Sequence, residues 1–135
     1  MSKHLLKNKI VVTSKYLDDN PNIIYVYSDN FLMKGNSYDC IFRNHPQTIA
    51  FTTYKKPPTT TQDTNSFYCL DTEYPNVYQD QLESLKRILY NYRFNDFVIA
   101  PLGKELEPKS YVFLDFIFHR IKKDLEEFNN IKFNW

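Results

Sequence analysis

The amino-acid sequence predicts an α/β domain in which a mixed, partly parallel sheet is packed with helices. Short apolar runs rich in β-branched residues predict strands, and two longer segments carry apolar residues at helical spacing. In the second half of the chain, strands alternate with helices, which is typical of partly parallel sheets. The 135 residues suit a single domain, 1–135, large enough to form a core without metal or disulfides.

Strands are predicted where short apolar runs are bounded by turn residues. The run 23–27 is apolar throughout rather than alternating, as expected for a strand inside a sheet that is covered on both faces. The other predicted strands are 10–13, 48–53, 66–70 and 97–100. Residues 1–9 are expected to form a loose N-terminal arm. The segment 55–66, which contains two prolines and four threonines, is expected to form a flexible surface loop.

Two helices are predicted from the spacing of apolar residues. The first covers 79–93, where the apolar positions on one face are Leu82, Leu85, Ile88, Leu89 and Tyr92. The second covers 109–128, where they are Leu114, Ile117, Phe118, Ile121, Leu125 and Phe128. Pro108 and Ser110 are suitable residues to begin this second helix.

Charge and cysteine content exclude several classes of protein. Lys plus Arg is 17 and Asp plus Glu is 16, which gives a net charge of +1, so nucleic acid is not an expected partner. No apolar run is long enough to cross a membrane, and residues 1–8 lack the apolar stretch of a signal peptide. Cys40 and Cys69 lack metal or redox spacing, so we expect free thiols in a reducing, cytoplasmic compartment.

The two glycines of the chain follow predicted strands. Gly35 comes after the strand 23–27, and Gly103 comes after the strand 97–100. Glycine lets the backbone adopt positive φ or approach a ligand closely, and open α/β sheets bind ligands beyond the carboxyl ends of their strands. These two loops are therefore the candidate ligand site. The alternative is that both are ordinary loop glycines.

Asp29 and Asn30 directly follow the first of these strands. A carboxylate and an amide at this position can contact a ribose hydroxyl or an amide edge. The alternative is an Asx turn, in which both side chains bond to local backbone groups. His4, His45 and His119 are scattered along the chain, so no metal site is expected, and no cofactor is expected either.

The run 23–30, followed by Lys34-Gly35 and the stretch 43–57, resembles an uncharacterised family found mainly in phages. Members of that family have a strand that ends in Gly-Asp-Asn, then a Gly-Gly-Gln-Ala segment and an Arg-x-x-Pro-Asn-x-x-Gly-Ile-Pro-Thr-Lys stretch. Residues 101–106 resemble the late Gly-x-Gly-Leu-Ala loop of the same family, which precedes its final helix. The resemblance covers most of 23–120 and depends on order and spacing more than on any one motif.

The family pattern is in turn similar to that of macro domains, which bind ADP-ribose, and this implies a macro-like three-layer architecture. By this resemblance, Asp29 and Asn30 hold the distal ribose or the nicotinamide-side group, and the backbone of loop 101–104 cradles phosphates. Lys55 adds positive charge to that cradle. The implied ligand-binding residues are Asp29, Asn30, Gly35, Thr53, Lys55, Leu102, Gly103 and Lys104.

The chain departs from the family pattern at the glycines. Ser28 stands where the family has glycine, 36–40 stands where Gly-Gly-Gln-Ala is expected, and 101–104 has one glycine where two are typical. Side chains therefore occupy space that a phosphate needs. A divergent member that keeps the scaffold and has lost the ligand is the alternative.

Three hypotheses about function follow. The first is a phage or viral accessory domain that binds a nucleotide or an ADP-ribose-like ligand at the two loops. The second is a non-catalytic interaction module that binds a host protein through an aromatic-rich surface, in the host cytoplasm if the protein is viral. The third is an ADP-ribosyl-type hydrolase with Asp29 as the base.

Overall fold

The computed structural model describes residues 10–30, 42–54, 74–101 and 120–135. The elements are two helices, α1 and α2, and four strands, β1 to β4, and residues 120–124 are also helical. In chain order they are α1 (Ser14–Asp19), β1 (Ile23–Asn30), β2 (Thr48–Tyr54), α2 (Tyr74–Asn91), β3 (Asp96–Ile99) and β4 (Ile131–Phe133).

The four strands form one sheet in the order β2-β1-β3-β4, and every neighbouring pair is parallel. Tyr25 on β1 lies opposite Thr48 on β2 and opposite Val98 on β3. β1 is therefore an inner strand, which explains why its sequence is a continuous apolar run. The predicted α/β class is confirmed, and the strands within the described ranges are all parallel.

Alternate residues of each strand point to opposite sides of the sheet. Both of these faces are covered by other parts of the chain. One face packs against α2 and the segment 121–125, most of which is helical. Its buried residues include Val26, Phe51, Phe97, Ile99, Leu82, Leu85, Leu89, Ile121 and Leu125. The opposite face packs against α1 and Phe42, and its buried residues include Tyr25, Tyr27, Val98, Ala100 and Leu17. This arrangement is compatible with a three-layer architecture.

The described parts of the connections that follow β1 and β3 lie on opposite faces of the sheet. The connection from β1 to β2 includes Phe42, which packs on the α1 face. The connections from β2 to β3 and from β3 to β4 place α2 and Ile121 on the other face. A sheet whose chain winds toward opposite faces from two adjacent strands has a topological switch point between them. In this protein the switch point lies between β1 and β3.

The longer predicted elements agree with the structure. The strands predicted at 23–27, 48–53 and 97–100 correspond to β1, β2 and β3. The helix predicted at 79–93 corresponds to α2, which begins five residues earlier at Tyr74. The helix predicted at 109–128 is described only from residue 120, and its helical residues end at 124. Among the described helices, none is long and apolar enough to cross a membrane.

The prediction of a strand at 10–13 is wrong. Thr13 instead begins α1 as its N-cap, and its hydroxyl accepts a hydrogen bond from the backbone N–H of Tyr16 at 3.0 Å. Ile10 bonds to a side chain rather than to a strand. Its N–H donates to Oδ1 of Asn134 and its carbonyl accepts from Nδ2 of Asn134, both at 2.7 Å. The predicted arm 1–9, loop 55–66 and strand 66–70 lie outside the described residues.

Candidate functional site

The carboxyl ends of β1, β2 and β3 meet at one edge of the sheet, which we call the carboxyl edge. β1 contributes the buried polar residues Ser28 and Asp29, and β2 contributes Thr52. After β3 come Ala100 and Pro101, both buried, and the N–H of Ala100 donates to the carbonyl of Val26 at 2.8 Å. Buried polar residues thus lie beside the switch point.

Asp29 forms a buried ion pair with Arg43. Nε of Arg43 donates to Oδ2 at 2.8 Å, and Nη2 donates to Oδ1 at 2.6 Å. The hydroxyl of Tyr27 also lies 3.3 Å from Oδ2. The Asp29 side chain is 0% exposed and that of Arg43 is 18% exposed. A bidentate guanidinium–carboxylate pair has strong, directional hydrogen bonds, and its two charges compensate each other in a site from which water is largely removed.

Arg43 is brought to this position by the preceding aromatic residue. The ring of Phe42 packs edge-on against Tyr25, with ring centroids 5.0 Å apart, and lies 6.3 Å from the ring of Tyr27. Because residues 25, 27 and 29 of a strand share one face, Phe42 and Arg43 contact consecutive positions of that face. The aromatic contacts and the ion pair together fasten the segment after residue 41 to β1.

The sheet is irregular at the same edge. Asp29 lies opposite Thr52, whereas Asn30 lies opposite Tyr54, so Thr53 is an extra residue on β2. Extra residues of this kind bend a strand and occur often beside active sites. The N–H of Thr52 donates to Oε1 of Gln81 on α2 at 3.1 Å. The helix therefore supports β2 where its pairing with β1 changes register.

A tyrosine–carboxylate contact joins α2 to the last helical residues. The hydroxyl of Tyr78 donates to Oδ2 of Asp124 at 2.9 Å, and Nε of Arg120 donates to the same oxygen at 3.1 Å. The ring of Tyr78 lies 6.0 Å from that of Phe51, near the carboxyl end of β2. Burial is the main cause that raises the pKa of Tyr78 far above its ordinary value of 10, and the hydrogen bond to Asp124 raises it further.

Three of the predicted site residues are at the carboxyl edge. Asp29, Asn30 and Thr53 lie together where β1 and β2 change register. The other predicted ligand-binding residues, which are Gly35, Lys55, Leu102, Gly103 and Lys104, lie outside the described residues. Within the described ranges, no group of three or more His, Cys, Asp or Glu side chains is placed to hold a metal ion.

Arg43 is the residue that sequence reasoning missed. Its only signal is indirect, because a carboxylate predicted at the end of a buried strand requires a cationic or hydrogen-bonding partner. Nothing in the spacing of 14 residues between Asp29 and Arg43 identifies that partner. The pairing depends on the path of the chain between them.

A recess of about 330 Å³ lies at the opposite edge of the sheet, which we call the amino edge. It is lined by Ile24, Pro46, Thr48, Ile49, Ile88 and Tyr92. They come from the first halves of β1 and β2, from the turn before β2 and from the last turn of α2 with the residue that follows it. The recess is therefore separate from the predicted site, whose loops after β1 and β3 are not among the described residues.

The parallel sheet, the two covered faces and the switch point define an α/β domain of the doubly wound type. The chain belongs to a family of unknown function, DUF7831, whose model matches residues 7–106. The match includes β1, β2, α2 and β3, and with them the Asp29–Arg43 pair. The expectation of an uncharacterised family is thus confirmed. The comparisons with curated proteins and with solved structures give no match.

Proposed function

We propose that this domain binds a nucleotide-like small molecule in the crevice beyond the carboxyl ends of β1 and β3. The observation that supports the proposal is the switch point: the described part of the connection after β1 packs on one face of the sheet, and the described part of the connection after β3 packs on the other. In doubly wound sheets, ligands bind in the crevice that this divergence creates. Asp29 and Asn30 end one of the two strands, and Ala100 and Pro101 follow the other.

The Asp29–Arg43 pair supports binding more than catalysis. A general base needs an oxygen within reach of the proton that it removes. In Asp29, both oxygens accept hydrogen bonds from the guanidinium of Arg43, and the side chain is fully buried. We therefore assign Asp29 to positioning the end of β1, so that Asn30, the next residue, has a fixed place beside the crevice. The hydrolase hypothesis has less support from this geometry.

ADP-ribose is the first ligand to test, because the family pattern resembles that of macro domains. The resemblance to an uncharacterised family found mainly in phages underlies the separate expectation of a phage-encoded protein that acts in the host cytoplasm. The parts of an ADP-ribose-like ligand would be divided between the two strand ends. Asn30, at the end of β1, would contact the ribose, and backbone N–H groups after β3 would contact the phosphates.

Calorimetric titration with ADP-ribose, NAD and mononucleotides tests the proposal. The variant Asn30→Ala removes a candidate contact at the carboxyl edge. The variant Asn91→Ala makes the same chemical change at an exposed position at the end of α2. We expect one of these ligands to bind, Asn30→Ala to weaken binding at least tenfold, and Asn91→Ala to leave it unchanged. Absence of binding by every nucleotide, or equal losses in the two variants, would contradict the proposal.

The hypothesis of a protein-interaction module is the second candidate, because one surface of the domain is rich in exposed aromatic side chains. Phe94 is 83% exposed and Tyr92 is 53% exposed. Aromatic residues are enriched in protein–protein interfaces. A host protein as the partner stays a prediction. Its test is whether Phe94→Ala weakens binding to a defined host protein without changing nucleotide affinity.

A further inference from the structure

Arg120 is an exposed arginine whose position is fixed by a carboxylate and a buried tyrosine. Its Nε donates to Oδ2 of Asp124 at 3.1 Å, and the hydroxyl of Tyr78 on α2 donates to the same oxygen at 2.9 Å. The Arg120 side chain is 57% exposed, whereas Tyr78 is buried. Because burial and the bond to Asp124 raise the pKa of Tyr78 far above 10, its hydroxyl keeps its proton at neutral pH and stays a donor. The carboxylate is therefore fixed by α2, and it fixes the guanidinium in turn.

The path of the chain places this cluster near the carboxyl edge. The ring of Tyr78 lies 6.0 Å from that of Phe51, near the carboxyl end of β2. The helical residues 120–124 belong to the connection that returns from the carboxyl end of β3 to the start of β4, so they run toward the amino edge. Arg120 precedes Asp124 by about 6 Å along the helix axis and so begins closer to the carboxyl edge. The guanidinium is thus on the α2 face of the sheet, on the side of the proposed crevice.

The guanidinium of Arg120 has donors left for a ligand. Its Nε is bonded to Asp124, and among the described residues neither of its Nη nitrogens makes a hydrogen bond. The N–H groups on these nitrogens form a fork that can donate to two oxygens of one phosphate. Arg43 differs, because its Nε and Nη2 both donate to Asp29 and its side chain is only 18% exposed. Of these two arginines, Arg120 is therefore the one that a ligand can reach from solvent.

A similar cluster near the amino edge shows what the arginine adds. There the hydroxyl of Tyr90 donates to Oε2 of Glu127 at 2.6 Å, and Nζ of Lys86 lies 3.1 Å from Oε1. Both clusters join α2 to the segment before β4, and this joining accounts for the tyrosines and the carboxylates. It does not require a guanidinium, because a lysine has the same place near the amino edge. A guanidinium presents a planar fork that matches phosphate, whereas an ammonium is a single point of charge.

We propose that Arg120 binds a phosphate group of the ligand at the carboxyl edge. The inference rests on the proposed nucleotide site, and it identifies the side chain that contacts the anionic part of the ligand, in addition to the backbone N–H groups after β3. It also narrows the ligand to a phosphorylated one, since a nucleoside offers no anion to the fork. Tyr78 and Asp124 are positioning residues, because they act on the phosphate only through Arg120.

Inorganic pyrophosphate is the probe, because it carries phosphate groups without a nucleoside. In an NMR titration of the ¹⁵N-labelled full chain at about 0.1 M salt, which screens exposed charges, we expect the Nε–H signal of Arg120 to shift. In calorimetry, Arg120→Ala should raise the dissociation constant for pyrophosphate at least tenfold. Arg93→Ala, which removes an exposed arginine at the amino edge, is the matched control and should leave it unchanged. Tyr78→Phe, which keeps the ring and removes the hydroxyl, should raise it by a smaller factor than Arg120→Ala.

Two results would overturn the inference. One is the absence of a shift of the Arg120 signal up to about 10 mM pyrophosphate. The other is an equal loss of affinity in Arg120→Ala and Arg93→Ala, which would indicate a general effect of surface charge. Titration with ADP-ribose separates the inference from the proposed function. If ADP-ribose binds to Arg120→Ala as tightly as to the unmodified protein, the phosphate contact is contradicted and the proposed site stands. If pyrophosphate binds at Arg120 and no nucleotide binds, the phosphate contact is supported and the proposed function is contradicted.

Discussion

At the amino edge of the sheet, amide side chains and a contact between His45 and the exposed carboxylate of Asp18 fasten the loops, whereas at the carboxyl edge a buried ion pair does so. Nε2 of Gln47 donates to the carbonyls of Asn20 and Ile23 at 3.0 and 2.8 Å. Asn95 and Asn130 make similar bonds to neighbouring turns. The carboxyl edge instead depends on the contact between Asp29 and Arg43.

The difference is informative because the two kinds of contact have different costs. An amide that bonds to a backbone carbonyl satisfies a polar group without burying a charge. A buried ion pair requires the desolvation of two charges, and apolar replacements often stabilise a protein at least as well. The presence of such a pair beside the switch point therefore favours the carboxyl edge as the functional one, where the position of a strand end matters more than stability.

The largest effect is expected when the ion pair is broken. Arg43→Ala should lower the free energy of unfolding by about 3–5 kcal/mol, because it leaves the Asp29 carboxylate buried without its guanidinium. Arg93→Ala makes the same change at the amino edge, where Arg93 is exposed, and should cost less than about 1 kcal/mol. Urea unfolding, followed by the fluorescence of the single tryptophan Trp135, measures the free energy of unfolding of both variants. Equal losses would remove the distinction between the edges.

A double variant separates the pair from its surroundings. Asp29→Asn with Arg43→Gln removes both charges, so neither is left uncompensated. We compare it with the single variants Asp29→Asn and Arg43→Gln. The double variant should lose less free energy of unfolding than the sum of the two single losses, by roughly 1–3 kcal/mol. Strict additivity in the same urea experiment would show that the two charges do not stabilise each other.

The second effect concerns Tyr78 and is a fall in the free energy of unfolding at alkaline pH. Because the pKa of Tyr78 is raised in the folded state, its contribution is fully present below the unfolded pKa of about 10 and is lost as the pH rises above it. The unfolded state then binds fewer protons, so the free energy of unfolding falls by up to about 1.4 kcal/mol per pH unit. Tyr78→Phe should show a shallower slope between pH 9 and 12 in urea unfolding. If the free energy of unfolding fell equally steeply with pH in the two proteins, the raised pKa of Tyr78 in the folded state would be contradicted.

The third effect concerns a neutral contact at the amino edge. Asn130→Ala removes the bond to the carbonyl of Asn95 and should lower the free energy of unfolding by about 1 kcal/mol. Because no ionisable group is lost, the difference from the unmodified protein should be the same at pH 6 and at pH 10.5. A difference that changes with pH would mean that the contact between Asn130 and Asn95 is coupled to an ionisable group.

The smallest effect is expected for an exposed ion pair. Nζ of Lys15 lies 3.2 Å from Oδ2 of Asp19, and both side chains are exposed. Lys15→Ala should change the free energy of unfolding by less than about 0.5 kcal/mol, because water and salt screen the attraction. A larger loss in thermal unfolding would show that exposure does not distinguish this pair from Asp29–Arg43.

The sequence predicts the elements that carry long, regular patterns. β1 is recognisable from its apolar run, and α2 from leucines and isoleucines on one face. α1 was missed because its six residues are too few for a helical pattern, although Thr13 is a suitable N-cap. β4 was missed because only Ile131, Lys132 and Phe133 form it, and its place beside β3 depends on contacts with a distant part of the chain.

The candidate site shows the same division between local and distant information. Asp29 is predictable, because a polar residue at the end of a buried strand is visible in the sequence. The partner of Asp29 is not, because the pairing with Arg43 is set by how Phe42 packs against Tyr25 and Tyr27. The extra residue Thr53 on β2 is also invisible in the sequence, since it appears only once the register between the two strands is known.

An NMR titration of ¹⁵N-labelled protein with ADP-ribose tests the central claim most directly. The carboxyl-edge proposal predicts that amide shift changes concentrate at residues 28–30, 52–54 and 100, whereas residues 24, 48–49 and 88–92 at the amino edge stay unchanged. The titration should reach about 10 mM, where even a ligand with a millimolar dissociation constant is mostly bound. Absence of shift changes at that concentration, or changes confined to the amino edge, would contradict the proposed ADP-ribose site.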